Sequence, residues 1–182
     1  MALEHEIKLP VASLDVVRSR LRECGASLRQ AATFEDNWVL DDNARRLATG
    51  GCLLRVRRWG DAAFITFKGP ARFAGGVKTR QEIETTVGDD ATALELFAAL
   101  GYTPWRRYQK RREVWMLHDV AVALDETPMG CFVELEGRPP SISEVAGQLA
   151  LDPAEAVPGT YLHLWEAFRA THPEAPADMV FS

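Results

Sequence analysis

The sequence predicts an α+β fold built on an eight-stranded antiparallel closed β-barrel with helices packed on the outside. Three observations lead there. Short segments alternate in character with the period of a strand. Along them charges recur two residues apart, which puts them on one side, while the residues between are mostly apolar. Four amphipathic helical segments lie among and after these strands, enough to cover the apolar side.

Strands are expected near residues 3–10, 34–40, 51–59, 62–69, 78–87, 106–117, 120–126 and 131–138, with Gly60-Asp61 and His118-Asp119 as tight turns. After the first strand, Leu14, Val17, Leu21 and Cys24 recur at helical spacing, Ser13 is placed to cap the start and Gly25 to stop it. A second helix carries Leu94, Phe97 and Leu100 and ends at Gly101. A third is expected from Ser141, where Glu144 completes a capping box, and it should bury Ile142, Val145 and Leu149. The last runs from Tyr161 to about Ala170, with Leu162, Trp165 and Phe168 on one side, before Pro173 ends it. The stretch "GPARFAGGV" (69–77) reads as a mobile loop, and the tail "EAPADMVFS" as frayed or loosely docked. No linker divides the chain, so 1–182 reads as one domain, with barrel strands over about 3–138 and C-terminal helices over about 141–171.

Composition narrows the class. A hydrophobic content of 47% with 26% charged residues is that of a folded globular chain, and no apolar run reaches the length of a membrane span. The opening "MALEHEIKLP" lacks the pattern of a secretory signal, so a cytoplasmic protein with no membrane association is expected. A net charge of −5 disfavours a nucleic-acid surface. Cys24, Cys52 and Cys131 are odd in number and far apart, which suits buried free thiols better than a disulfide framework or a thiolate metal site.

The charged faces carry the chemistry. Glu4, Glu6 and Lys8 share one side of the first strand. Arg55 aligns with Arg57, Lys68 follows, and Arg80 aligns with Glu82 and Glu84. Lys110 aligns with Arg112, Asp125 stands on the next strand, and Glu134 aligns with Glu136. Antiparallel sheets commonly turn a polar face to water, and an open sheet is the alternative. Solvated faces mix Thr, Ser, Gln and Lys, however, whereas each strand here is strongly cationic or strongly anionic. Like charges side by side are unfavourable without a counterion. The carboxylate pairs therefore imply a cation and the Arg/Lys pairs an anion. Enclosed charges cost several kcal/mol each unless paired. A polyanion with a hard divalent metal fills such a channel: guanidinium and ammonium groups grip phosphate oxygens, and carboxylates hold Mg²⁺ or Mn²⁺. "GGVKT" around Lys78 departs from a phosphate loop, because Val77 stands where a glycine should precede the lysine.

Glu4-x-Glu6-x-Lys8, Arg55-x-Arg57, Lys68, Arg80-x-Glu82-x-Glu84, Lys110-x-Arg112, Asp125 and Glu134-x-Glu136, in this order, resemble the CYTH family of adenylyl cyclases and thiamine triphosphatases, also called triphosphate tunnel metalloenzymes. The resemblance spans about residues 3–138. It implies a tunnel in which Lys8, Arg55, Arg57, Lys68, Lys110 and Arg112, with Arg80 as an addition, hold a triphosphate. Glu4, Glu6, Glu82, Glu84, Asp125, Glu134 and Glu136 would form a metal wall for Mg²⁺ or Mn²⁺, and Glu4, Glu6 and Lys8 would take part in catalysis. The substrate would be a small triphosphate, and the family leaves room for a homodimer. Trp38 stands where many relatives have a tyrosine, so it, Trp59 or Tyr108 is open to stacking on an organic head group or to packing. Arg111 should face outward by strand parity. The expected activity is metal-dependent hydrolysis of a terminal phosphate. Class IV adenylyl cyclase activity is the alternative, and non-catalytic binding of triphosphate or polyphosphate a third.

Overall fold

The computed structural model describes residues 2–74 and 77–182; the side chains of residues 2–4, 73, 74, 77 and 78 lie outside that description. The chain runs β1 (Ala2–Val11), α1 (Leu14–Glu23), β2 (Ser27–Asp41), α2 (Arg46–Thr49), β3 (Leu53–Trp59), β4 (Ala62–Lys68), β5 (Arg72–Ala74) and β6 (Val77–Val87). It continues through α3 (Asp90–Ala99), β7 (Thr103–Leu117), β8 (Val120–Thr127), β9 (Gly130–Glu136), α4 (Pro139–Gln148) and α5 (Tyr161–Thr171).

Eight of these strands close on themselves in the order β1-β9-β8-β7-β2-β3-β4-β6, and β6 pairs back to β1. Every pairing is antiparallel. Closure leaves no long free edge and creates an interior. The expected barrel is therefore present, with β5 as an extra strand paired to the start of β6. β5 falls in the segment expected to be a loop: Arg72 and Phe73 continue the ladder opposite Thr79 and Lys78.

The barrel is inside out. Ile7 and Leu9 of β1, Val122 and Leu124 of β8, and Val133 and Leu135 of β9 point outward and are buried under Val17 and Leu21 of α1 and Ile142, Val145 and Leu149 of α4. On the far side Leu54 and Val56 of β3 lie under Ala93, Leu94 and Phe97 of α3. Burying a Leu or Val side chain stabilises by roughly 1.5–3 kcal/mol, so these two layers hold the closed sheet. The charged residues of the same strands, one position away, must then face the lumen.

Local signals mostly match their elements. Ser13 caps α1 by accepting from the Asp15 amide at 3.2 Å, and Gly25 follows the helix with φ of 73°. Gly60 and His118 take positive φ in the two tight turns. α4 differs from expectation: it begins at Pro139 with no side-chain cap, because a proline at the first helical position needs no amide partner. Ser141 sits inside the first turn and donates to Asp119 instead. Leu100, expected on the helix with Leu94 and Phe97, lies just beyond the end of α3 and is 65% exposed. β2 starts at Ser27 rather than near residue 34; residues 27–33 are mostly exposed and pair with the end of β7 through register shifts, which removes the alternation that marks a strand. The thiols are free, but none is fully buried: Cys24 is exposed at the end of α1, and Cys52 and Cys131 are half-buried. Among the described residues no helix is long and apolar enough to cross a membrane.

The tail is docked rather than frayed. Met179 is completely buried and bridges in parallel to Tyr108. Its carbonyl accepts from the Gln109 amide at 2.7 Å and its amide donates to the Arg107 carbonyl at 3.1 Å. β8 covers β7 only from Arg111 onward, so the first half of β7 has an open side that the tail occupies.

Candidate functional site

The lumen contains a cavity of about 300 Å³. Its wall holds the cations Lys8, Arg55, Arg57, Lys68, Arg80, Lys110 and Arg112 together with Glu6, Glu82, Glu84, Glu134 and Glu136. Strand parity is the cause, since Glu6 and Lys8, Arg55 and Arg57, Lys110 and Arg112, and Glu134 and Glu136 are each two apart on inward positions. Six strands, β1, β3, β4, β6, β7 and β9, therefore contribute charge to one space. The side chain of Glu4 lies outside the described residues, and one residue named from the sequence stands apart from the cavity wall. Asp125 is fully buried behind the wall, where its carboxylate accepts from Lys110 at 3.0 Å, from Arg112 at 2.7 and 2.5 Å, and from the Tyr161 hydroxyl at 2.6 Å.

The opposite charges interlock. Lys8 Nζ is 2.9 Å from Glu134, whose other oxygen meets Arg112. Arg57 bridges Glu35 at 3.2 Å and Glu84 at 3.0 Å, Arg55 lies 3.5 Å from Glu84, and Lys68 lies 2.9 Å from Glu82. Burial pushes the Glu134 carboxyl up, but Arg112, Lys8 and Lys110 outweigh it and hold the group well below the usual carboxylate range. The walls thus neutralise one another, which offsets the desolvation of each. An incoming polyanion can take over the guanidinium and ammonium groups and release the carboxylates.

Glu35, Thr66 and Tyr161 belong to this network and were not singled out from the sequence as site residues; Tyr108, named there for stacking or packing, joins them. Glu35 is fully buried on β2 behind the basic residues, 3.6 Å from Lys110 and 4.0 Å from Arg112. Its place inside was readable from the alternation Glu35, Asn37, Val39. Thr66 accepts from Arg55 and donates to Glu84 at 2.7 Å, and the Tyr108 hydroxyl accepts from Arg55 at 2.9 Å. Tyr161 comes from α5, and no local pattern connects it to the barrel. Its ring lies 4.4 Å from Lys8 Nζ and 4.8 Å from Lys110 Nζ. Burial, with Asp125 and Glu134 nearby, raises its hydroxyl well above the ordinary phenol value.

Trp38 faces outward, in the layer under α3 and between Arg58 and Arg107, so it is away from the cavity. Tyr108 is the member of the aromatic trio that lines the cavity. Arg111 faces outward as parity requires, against Phe181 and 3.4 Å from Glu126.

The carboxylates are oxygen donors, the type a hard divalent cation takes. Glu6 stands directly opposite Glu136 across β1 and β9, and both line the cavity. Two carboxylates on facing inward positions offer such an ion adjacent oxygen donors. Among the described residues no three ligating side chains converge closely enough to form a metal cage.

A closed antiparallel barrel with an ionic lumen and helices outside is the class that fold and cavity define. The chain belongs to the CYTH family, whose domain matches residues 2–152. It is 28% identical over 145 residues to a Methanocaldococcus jannaschii protein provisionally named adenylate cyclase, covering 78% of this chain and 81% of that one. Among solved structures it resembles a Vibrio parahaemolyticus protein, also provisionally named adenylate cyclase, with a TM-score of 0.81 at 19% identity over 90% of this chain and 98% of that one. A Hippeastrum protein assigned as an adenylyl cyclase, and described as having a dominant triphosphatase activity, matches with a TM-score of 0.70 at 16% identity over 91% and 96% of the two chains. These two likenesses concern the fold.

Proposed function

We propose that the protein is a divalent-metal-dependent enzyme that hydrolyses the terminal phosphate of a small triphosphate. The observation that carries this reading is the convergence of seven cationic and five acidic side chains on one cavity of about 300 Å³. A pure anion binder has use for the cations but not for so many carboxylates.

Lys8, Arg55, Arg57, Lys68, Lys110 and Arg112, with Arg80, would grip the phosphate oxygens. Arg supplies paired donors and Lys a compact charge. Glu6 and Glu136 would hold Mg²⁺ or Mn²⁺, with Glu4, Glu82, Glu84 and Glu134 as further donors; Asp125 instead orients Lys110 and Arg112. The ion, when bound, neutralises phosphate charge and acidifies bound water. Glu6 or Glu4 would accept the proton of the attacking water as its oxygen bonds to the terminal phosphorus and the bridging P–O bond breaks. The basic wall stabilises the charge on the leaving group, so catalysis is mainly placement and electrostatics. The free thiols suit a reducing compartment such as the cytoplasm.

The alternative keeps the same grip and changes the attacker: a ribose 3′-hydroxyl attacks the α-phosphorus, giving cyclic AMP and pyrophosphate. The M. jannaschii relative's name favours testing it. The experiment is incubation of the protein and Mg²⁺ or Mn²⁺ with inorganic triphosphate, thiamine triphosphate and ATP, with products identified. Orthophosphate release supports hydrolysis, and cyclic AMP the alternative. Tight binding of all three without product overturns both.

A further inference from the structure

The two ends of the barrel hold its cations in different ways. At one, Val39, Tyr108 and Phe132 pack against Tyr161 and Trp165 of α5 and against Met179, so α5 covers that end, and the Tyr161 ring lies over Lys8 and Lys110. Toward the other end the inward side of β3 runs Arg55, Arg57, Trp59, because a strand repeats every two residues. Phe64 of β4 stands directly opposite Arg57 in the ladder. Both rings therefore belong to the lumen side, although neither lines the cavity itself.

Arg57 is seated on the two rings. Its guanidinium carbon is 5.2 Å from the centre of the Trp59 ring and 4.7 Å from that of Phe64, and the rings, with centres 6.5 Å apart, are tilted 50° to one another. A cation within about 6 Å of a ring centre is attracted by the ring's quadrupole, more so where water is excluded. Arg57 is only 8% exposed. Its other holders are the carboxylates of Glu35 at 3.2 Å and Glu84 at 3.0 Å. A carboxylate competes with phosphate for the same N–H donors, whereas a ring face takes none of them. When a phosphate displaces Glu84, the rings and the buried Glu35 stay.

We propose that Trp59 and Phe64 are positioning residues that keep the Arg57 guanidinium aimed into the tunnel while Glu84 gives way to phosphate. The inference rests on the triphosphate reading above. Of the four partners only Glu35 would remain at that moment without the rings. Arg57 would then regain side-chain freedom that gripping phosphate must remove again, which weakens binding. The rings fix the side chain before substrate arrives.

The test uses the whole protein with Mg²⁺ and the β,γ-imido analogue of ATP, with affinity read by titration calorimetry in a double-mutant cycle with Arg57→Ala. Phe64→Leu and Trp59→Leu, each at a half-buried position, should weaken binding by about three- to tenfold. Phe64→Tyr and Trp59→Phe keep a ring face and should stay within about twofold of the unsubstituted protein. Trp59 is the last residue of β3, so Trp59→Leu carries the test where Phe64→Leu does not fold. In the Arg57→Ala background the leucine substitutions should change affinity by less than about twofold, a dependence that a role in packing alone would not give. Equal losses with and without Arg57 overturn the proposal while the tunnel reading stands, as does unaltered affinity in both leucine variants. Failure of the unsubstituted protein to bind either the analogue or inorganic triphosphate overturns the tunnel reading and the positioning role with it.

Discussion

The hydroxyl of Tyr161 donates to Asp125 at 2.6 Å, joining the first turn of α5 to a carboxylate that also holds Lys110 and Arg112. One buried acid therefore links the helix at the mouth to two cations of the wall.

Tyr161→Phe keeps the ring over Lys8 and Lys110 and removes only this bond. Asp125 retains its cationic partners, so the expected loss of stability is about 1 kcal/mol, read by urea denaturation. Tyr161→Ala also removes the ring and should cost about 3–5 kcal/mol. Equal stability of the two variants would show that the ring contributes nothing to closing this end.

Glu35 gives the protein an acid-sensitive point. Burial tends to raise its carboxyl, but Lys110, Arg112, Arg57 and Arg55 bring it down to about 2. The folded value is below the unfolded one of about 4.3. The ionised group therefore contributes stability that is fully present above about pH 4.3 and is lost as pH falls through about 2. Denaturation between about pH 6 and about pH 2 should show a fall that Glu35→Gln makes shallower. At neutral pH that variant should already be less stable by about 3–5 kcal/mol, because three cations lose a buried partner. An unchanged pH slope contradicts the assignment.

Arg57 touches Glu35 and Glu84 and lines the cavity. Arg57→Ala removes a charged donor pair and should weaken triphosphate binding by about ten- to a hundredfold, measured by titration calorimetry. Binding at the original strength would remove it from the phosphate site.

Glu136 faces Glu6 across the strand pair. Glu136→Ala is expected to lower metal-dependent turnover by more than about tenfold and to raise the metal concentration needed for half activity. Turnover at the original rate would refute its assignment as a ligand.

Removing residues 178–182 deletes the completely buried Met179 and its backbone bonds to β7. Losing a buried Met side chain costs about 2–5 kcal/mol, so Tm should drop by roughly 5–15 °C. A drop below about 2 °C would mean that the tail is not a structural strap.

Most of the site was legible because a strand's two-residue period is a local property. Given Glu134-x-Glu136 or Arg55-x-Arg57, the pairs must share a face, and the helices that cover the apolar faces send the charges inward. Glu35 was less legible because only one short alternation marks it, and the bulged, exposed start of β2 hides the strand that carries it. Asp125 matched the inward pattern, yet its position behind Lys110 and Arg112 depends on how side chains from three elements fill the lumen.

What the sequence determined by itself is which residues share a side of each strand, where the helices lie, and that the ionic sides need a partner. These follow from backbone periodicity and from the cost of placing like charges together. Only the tertiary structure decided that α5 and the tail close one end of the barrel and that Tyr161 reaches Asp125. Those relations join residues far apart in the chain. They exist because packing and burial select them, and no local spacing encodes which distant side chain will occupy a given space.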